Sequence, residues 1–304
     1  MPTEPRKHKI DLHGIYPYSI LRTDRGPWQE RRRYWNDLGL TRDAGRAGRE
    51  EVETFDPRSL WAREVFNKPG LGTLSTFDPV LAELAYTWYC PSGGRILDPY
   101  AGGPPRGLVA ANLGYDYTGI DLSPAQIEAD LDAAADWAAA GLLATEPTWF
   151  CGDAAETLAE LPEAEYDFLF SCPPYHNLEK YTDDARDISN MTWGDFAAAY
   201  RETIALAVER LRPNRFATYV VGDLRDSAGR LRALPELTVS AFVAAGADYY
   251  NDQLLMNVLG SVPARTPKQW KASRKAGRHH QWVLTFVKGD PKLATEVIGN
   301  PDER

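Results

Sequence analysis

Short apolar runs alternate along most of this chain with apolar stripes at helical spacing. The most concentrated run is Phe168-Leu169-Phe170, within YDFLFSCPPY (Tyr166 to Tyr175), and it reads as a strand buried on both faces in the middle of a parallel sheet. Pro173 and Pro174 carry no N–H to continue a ladder, so pairing should stop at Cys172. Upstream, Leu81, Leu84, Ala85 and Trp88 mark a helix that Pro91-Ser92-Gly93-Gly94 breaks before a strand at Arg95 to Leu97. Helices are then expected at 108–113, 123–140, 196–211 and 234–245. Strands are expected at 117–121, 148–151, 166–171, 216–221, 252–259 and 281–288. Such alternation predicts an α/β fold with a mostly parallel sheet covered on both sides.

The first 60 residues break this rhythm. They read as a helical, basic N-terminal extension in which Trp28, Arg31, Arg32 and Trp35 share a helix face. Five arginines between Arg22 and Arg33 read either as a solvated face or as phosphate contacts. Residues 61–289 form the main domain, and 290–304 is expected to be a flexible tail.

Composition narrows the class. The chain has 304 residues, 43% hydrophobic and 25% charged, as in ordinary globular proteins. No run approaches the ~18 to 20 apolar residues that span a bilayer. The start MPTEPRKHKIDLHG lacks the apolar core of a secretory signal, so a cytoplasmic location without membrane contact is expected. Cys90, Cys151 and Cys172 are far apart, and the five histidines add no ligand spacing, so no metal site is expected.

Three acids end three consecutive strands. Asp98, in ILDPYAGGPPRG, opens a glycine-containing turn into a helix. Asp121, in YTGIDLS, could accept the hydroxyls of a ribose, and Asp153, in WFCGDA, an adenine amino group. Each alone reads more readily as a helix cap. Together they share one sheet edge with CPPY.

With these segments in order, the chain resembles the S-adenosylmethionine-dependent amino-methyltransferases of DNA, which modify N6 of adenine or N4 of cytosine. It is also similar to phage and prophage DNA methylases with an extended N-terminal region. The resemblance runs from about Phe77 to Lys288. It implies a Rossmann-like, seven-stranded methyltransferase sheet, mostly parallel, with the last strand QWVLTFVK inserted antiparallel. It implies S-adenosylmethionine as cofactor, held by Phe77, Asp98, Tyr100, Gly102, Gly103, Asp121 and Asp153. Arg106 is implied as a charged partner where Pro104 and Pro105 remove backbone donors. Cys172, Pro173, Pro174 and Tyr175 would be the catalytic tetrapeptide, with the Pro173 carbonyl accepting an amino proton and Tyr175 stacking on an extruded base.

The family prefers Asp, Asn or Ser where this chain has Cys172, and a thiol is a weak acceptor. Amino methylation would then lean on the Pro173 carbonyl, with Ser171 nearby. A second route is covalent: a Cys172 thiolate attacking cytosine to activate its carbon 5. A third reading is a non-catalytic DNA-binding protein on this fold. The loop HNLEKYTDDARDISNM after the tetrapeptide reads either as a lid or as an ordinary surface loop.

The net charge of −9 hides one basic stretch, Ser261 to His280, with no acid from Gln253 to Gly289. Arg265, Lys268, Lys271, Arg274, Lys275 and Arg278 read there as a phosphate-binding arm, with Trp270 available to stack. DNA is therefore the expected partner.

Overall fold

A computed structural model describes residues 12–40, 77–176, 182 and 184–299. Its strands are β1 (Ile20–Arg22), β2 (Arg95–Asp98), β3 (Asp116–Asp121), β4 (Thr148–Cys151), β5 (Tyr166–Ser171), β6 (Leu211–Val221), β7 (Asp248–Met256) and β8 (His280–Lys288). They form a single sheet in the order β1-β7-β8-β6-β5-β2-β3-β4. β8 runs antiparallel to both of its neighbours, β6 and β7, and every other pair is parallel.

Every residue of β5 is buried. Phe168 and Phe170 point to one layer, where both meet Tyr86 edge-on at 6.3 and 5.3 Å. Leu169 joins the opposite layer with Phe196, Tyr200 and Phe242. The period of two sorts successive side chains into the two cores. One core packs under α2 (Pro79–Tyr89), α3 (Pro105–Asn112) and α4 (Pro124–Ala139), the other under α6 (Trp193–Arg210) and α7 (Leu234–Ala244). The chain winds from β2 outward through β3 and β4, then returns to place β5 on the other side of β2. That reversal is a topological switch point, where open α/β sheets leave a crevice.

The sheet has eight strands rather than the seven expected, and the extra one comes from the N-terminal extension. Leu21 is buried, and Ile20, Leu21 and Arg22 pair with Leu254, Leu255 and Met256. Gln253 Nε2 donates to the Tyr18 carbonyl at 2.9 Å, and Thr23 Oγ1 to the Met256 carbonyl at 3.0 Å. A three-residue edge strand leaves almost no periodicity to read. β7 begins at Asp248, four residues before its expected start. The segment after Gly289 forms α9 (Pro291–Ile298), capped by Asp290 and docked through buried Ala294.

The helical part of the extension is α1 (Gly26–Asp37), lying on α2. Trp28 and Trp35 are buried there. Trp28 Nε1 donates to Asp78 at 2.9 Å and Trp35 Nε1 to Glu83 at 2.7 Å. Arg31 forks onto both oxygens of Glu83 at 2.7 and 2.6 Å, and Arg32 donates to Asp78. These two arginines are thus engaged by carboxylates rather than solvated or free for phosphate. The expected extension also includes residues 1–11 and 41–60, and the main domain 61–76, all outside the described residues.

Glu83 is nearly buried and gathers its partners in a bidentate geometry, so its coupling should be large. A double-mutant cycle of Glu83→Ala with Arg31→Ala, read by urea unfolding, should give a coupling of about 1–3 kcal/mol. A coupling near zero would contradict the ion pair as the joint between extension and domain.

Candidate active site

Four strand ends meet at the switch point. Asp98 ends β2, Asp121 ends β3, Asp153 follows β4, and Cys172 follows β5. Because these strands are parallel, the four residues share the carboxyl edge. The edge opens into a cavity of about 1210 Å³. Cys172, Pro173, Pro174 and Tyr175 all line it, and so do Phe77, Tyr100, Gly102, Gly103, Arg106, Asp121 and Asp153. Asp98 does not.

Asp98 is fully buried and saturated from within. Its Oδ2 accepts from Arg106 Nε at 2.6 Å and Tyr117 OH at 2.9 Å. Its Oδ1 accepts from Ser171 Oγ at 2.6 Å and the Tyr100 amide at 3.2 Å. This carboxylate holds the loop, the helix after it and the end of β5 together. Ser171, expected to assist near the tetrapeptide, is itself buried and donates inward. Arg106 turns the same way: it donates to Asp98 and to the carbonyls of Tyr100 and Ala101, the latter at 2.7 Å. Its guanidinium lies 4.7 Å from the Phe77 ring. Burial is the largest influence on its pKa and would lower it, but the Asp98 charge together with Tyr117, Cys172 and Tyr86 outweighs this and holds it raised and protonated.

Asp121 is half-buried, and each of its oxygens takes a backbone donor: Gly102 N at 3.0 Å and Ser123 N at 2.8 Å. Gly102 sits at φ +55, a left-handed conformation that costs glycine little. Asp153 caps α5 (Ala154–Glu160) through Oδ1 alone, at 2.9 and 3.1 Å. The cap reading and a ligand reading are therefore compatible at this residue.

The Tyr175 hydroxyl accepts from the Gly222 amide and from Gln281 Nε2, each at 2.9 Å. Burial pushes the phenol well above its ordinary value, with Cys172 alongside adding to the shift. A neutral ring pinned at its far end to β6 and β8 is a fixed platform. Neither Gln281 nor Gly222 carries a sequence signal for this task.

One further wall was not anticipated from sequence, and another belongs to the loop expected to be a lid or a surface loop. Gln29, Arg32 and Asn36 of α1 line the cavity on one side. On another, Arg186, Asp187, Ile188 and Met191 line it, in the described part of the loop after the tetrapeptide. Asp187 organises that turn by accepting from Thr182 N, Ser189 N and Ser189 Oγ at 2.9, 3.0 and 2.7 Å. Residues 177–181 and 183 of the loop lie outside the described residues. The first part of the basic stretch is a helix, α8 (Val262–Ser273), and none of the stretch's seven singled-out residues lines this cavity. Among the described residues no group of three or more His, Cys, Asp or Glu is placed to hold a metal ion. No helix among them is long and apolar enough to cross a membrane.

No protein-family model matches the sequence, and no curated protein matches it. Solved structures do resemble it. TrmN from Thermus thermophilus is 17% identical over 70% of this chain and 49% of its own, with a TM-score of 0.46. A second Thermus thermophilus protein, provisionally described as a DNA modification methylase, is 19% identical over 46% of this chain and 52% of its own, at 0.35. Phosphoethanolamine N-methyltransferase 2 of Haemonchus contortus, solved with S-adenosylhomocysteine, is 14% identical over 79% of this chain and 58% of its own, at 0.46. The chain spans about half the length of the first two. These likenesses concern the fold and decide neither substrate nor reaction.

The Asp98 hub makes a stability prediction. Asp98→Asn keeps the shape and strands the Arg106 charge, so it should cost about 3–5 kcal/mol in urea unfolding. Ser171→Ala removes one bond and should cost about 1–2 kcal/mol. Equal, small losses would show that the carboxylate is not the hub.

Proposed function

We propose that this protein is an S-adenosylmethionine-dependent DNA methyltransferase acting on an exocyclic amino group, N6 of adenine or N4 of cytosine. The observation that carries the reading is the convergence of Cys172-Pro173-Pro174-Tyr175, the Gly102-Gly103 turn, Asp121 and Asp153 on one cavity at the sheet's carboxyl edge. Asp121 suits a ribose diol because a strand-end carboxylate facing the cavity has the acceptor capacity for two hydroxyls. The second oxygen of Asp153, which takes no hydrogen bond among the described residues, suits an adenine amino group. Arg106 fits the methionine carboxylate less well, since Asp98 and two carbonyls already engage it. When bound, the cofactor supplies an electrophilic methyl group on a sulfonium.

The protein's own residues would do the rest. Tyr175, held by Gly222 and Gln281, stacks on a base turned out of the duplex. An exocyclic amino nitrogen is a poor nucleophile because its lone pair is spread into the ring. The Pro173 carbonyl accepts a hydrogen bond from it and draws the nitrogen toward a tetrahedral shape. As the N–C bond forms and the sulfonium's S–methyl bond breaks, the proton released from the methylated nitrogen passes to solvent. Cys172 sits at the first motif position as a weak acceptor, leaving that carbonyl as the stronger one.

Calorimetry with S-adenosylhomocysteine tests the cofactor site. Wild type should bind, and Asp121→Ala should weaken binding by roughly tenfold or more, in line with the loss of a charge-assisted hydrogen bond. No binding by wild type would instead support a non-catalytic protein. Labelled-methyl transfer to DNA tests the role of Cys172. Cys172→Ser should retain or raise the rate for amino methylation, whereas abolition would point to covalent carbon-5 chemistry.

A further inference from the structure

We propose that the cleft between α8 and the 223–232 segment seats the phosphodiester backbone of DNA next to the target base. The inference rests on the DNA reading above and places the backbone where sequence alone did not. The cleft measures about 520 Å³. One face of α8 forms a wall: Val262, Arg265, Thr266 and Gln269, at spacings of three and four, all line it. Of the basic stretch only Arg265, Lys275 and Arg278 face inward, while Lys268, Trp270, Lys271 and Arg274 do not line the cleft.

The opposite wall is the turn after β6, which the sequence reading passed over. It brings Arg225 and Arg232, the latter with a buried Nε that has no hydrogen-bond partner among the described residues. The two acids there are already engaged. Asp226 pairs with Arg230 at 3.0 Å, and Asp223 accepts from the amides of Leu224 and Leu234 at 2.8 and 3.3 Å and lies 3.8 Å from Arg278. Five cations therefore outweigh two occupied carboxylates in a chain whose net charge is −9. The walls approach each other closely: Arg278 lies 3.8 Å from Asp223, and a Cβ on Gly229 would fall 2.5 Å from Lys275 Cε. A positively charged groove is what a polyphosphate backbone requires.

Its position joins it to the candidate active site. Tyr175 and Gln281 line the large cavity, while His176, Asp223 and Arg278 line the cleft. Asp223 follows Gly222, whose amide holds Tyr175, and Arg278 precedes Gln281 by three residues. The two spaces share a partition pinned by the Tyr175 hydroxyl. A base stacked on one side of it leaves its flanking phosphates on the other.

Anisotropy titrations of a fluorescein-labelled DNA duplex across a salt series test this. Arg225 and Arg265 are exposed, so Arg225→Gln/Arg265→Gln should leave the fold intact. That pair should weaken binding at least tenfold and reduce the salt slope by roughly 2, about 0.9 for each phosphate no longer neutralised. Lys268→Gln/Lys271→Gln should stay within about twofold of wild type with the slope unchanged, since a helix face that meets no phosphate releases no counterions. Equal losses in both pairs, no duplex binding by wild type, or tighter binding to RNA of the same sequence would each overturn the proposal. S-adenosylhomocysteine calorimetry on the same variants should be unchanged. Failure of the cleft is thereby distinguished from failure of the cofactor site.

Discussion

The Asp98 carboxylate is the constraint on which the rest of the site depends. A buried charge is tolerated only when paired and hydrogen-bonded. Here Arg106, Tyr117, Ser171 and the Tyr100 amide supply that pairing from four segments. Meeting its requirements fixes the turn after β2, the first turn of α3 and the last residue of β5 relative to one another. The glycine turn and the tetrapeptide, about 70 residues apart in sequence, thereby become two sides of one cavity. The residue that the family resemblance places against the cofactor acts in this structure behind the site wall.

Much of the fold was legible because periodicity records it. Phe168-Leu169-Phe170 declared a strand buried on both faces, and the strand-end acids declared the carboxyl edge. The antiparallel insertion of β8, implied by the family resemblance, is present as well. The eighth strand was not legible: Ile20–Arg22 is too short for a pattern, and its stability comes from pairing with β7. Arg31 and Arg32 read as surface charges because nothing in sequence shows that Glu83 and Asp78 would come to meet them.

The site divides along the same line. Residues whose roles follow from local geometry, such as a strand-ending proline or a glycine at positive φ, could be picked out in advance. Those that act through distant partners could not. Gln281 and Gly222 reach Tyr175 from β8 and from just beyond β6, and Gln29 and Asn36 reach the cavity from the extension. The basic stretch was recognised by charge, but only the folding of α8 and of the 274–279 segment after it sorts its cations into an inward and an outward set.

The most direct measurement is nucleoside mass spectrometry of DNA incubated with the protein and methyl-labelled S-adenosylmethionine. Label is expected in N6-methyladenine or N4-methylcytosine. Label in 5-methylcytosine, or none in DNA, would contradict amino methylation of DNA.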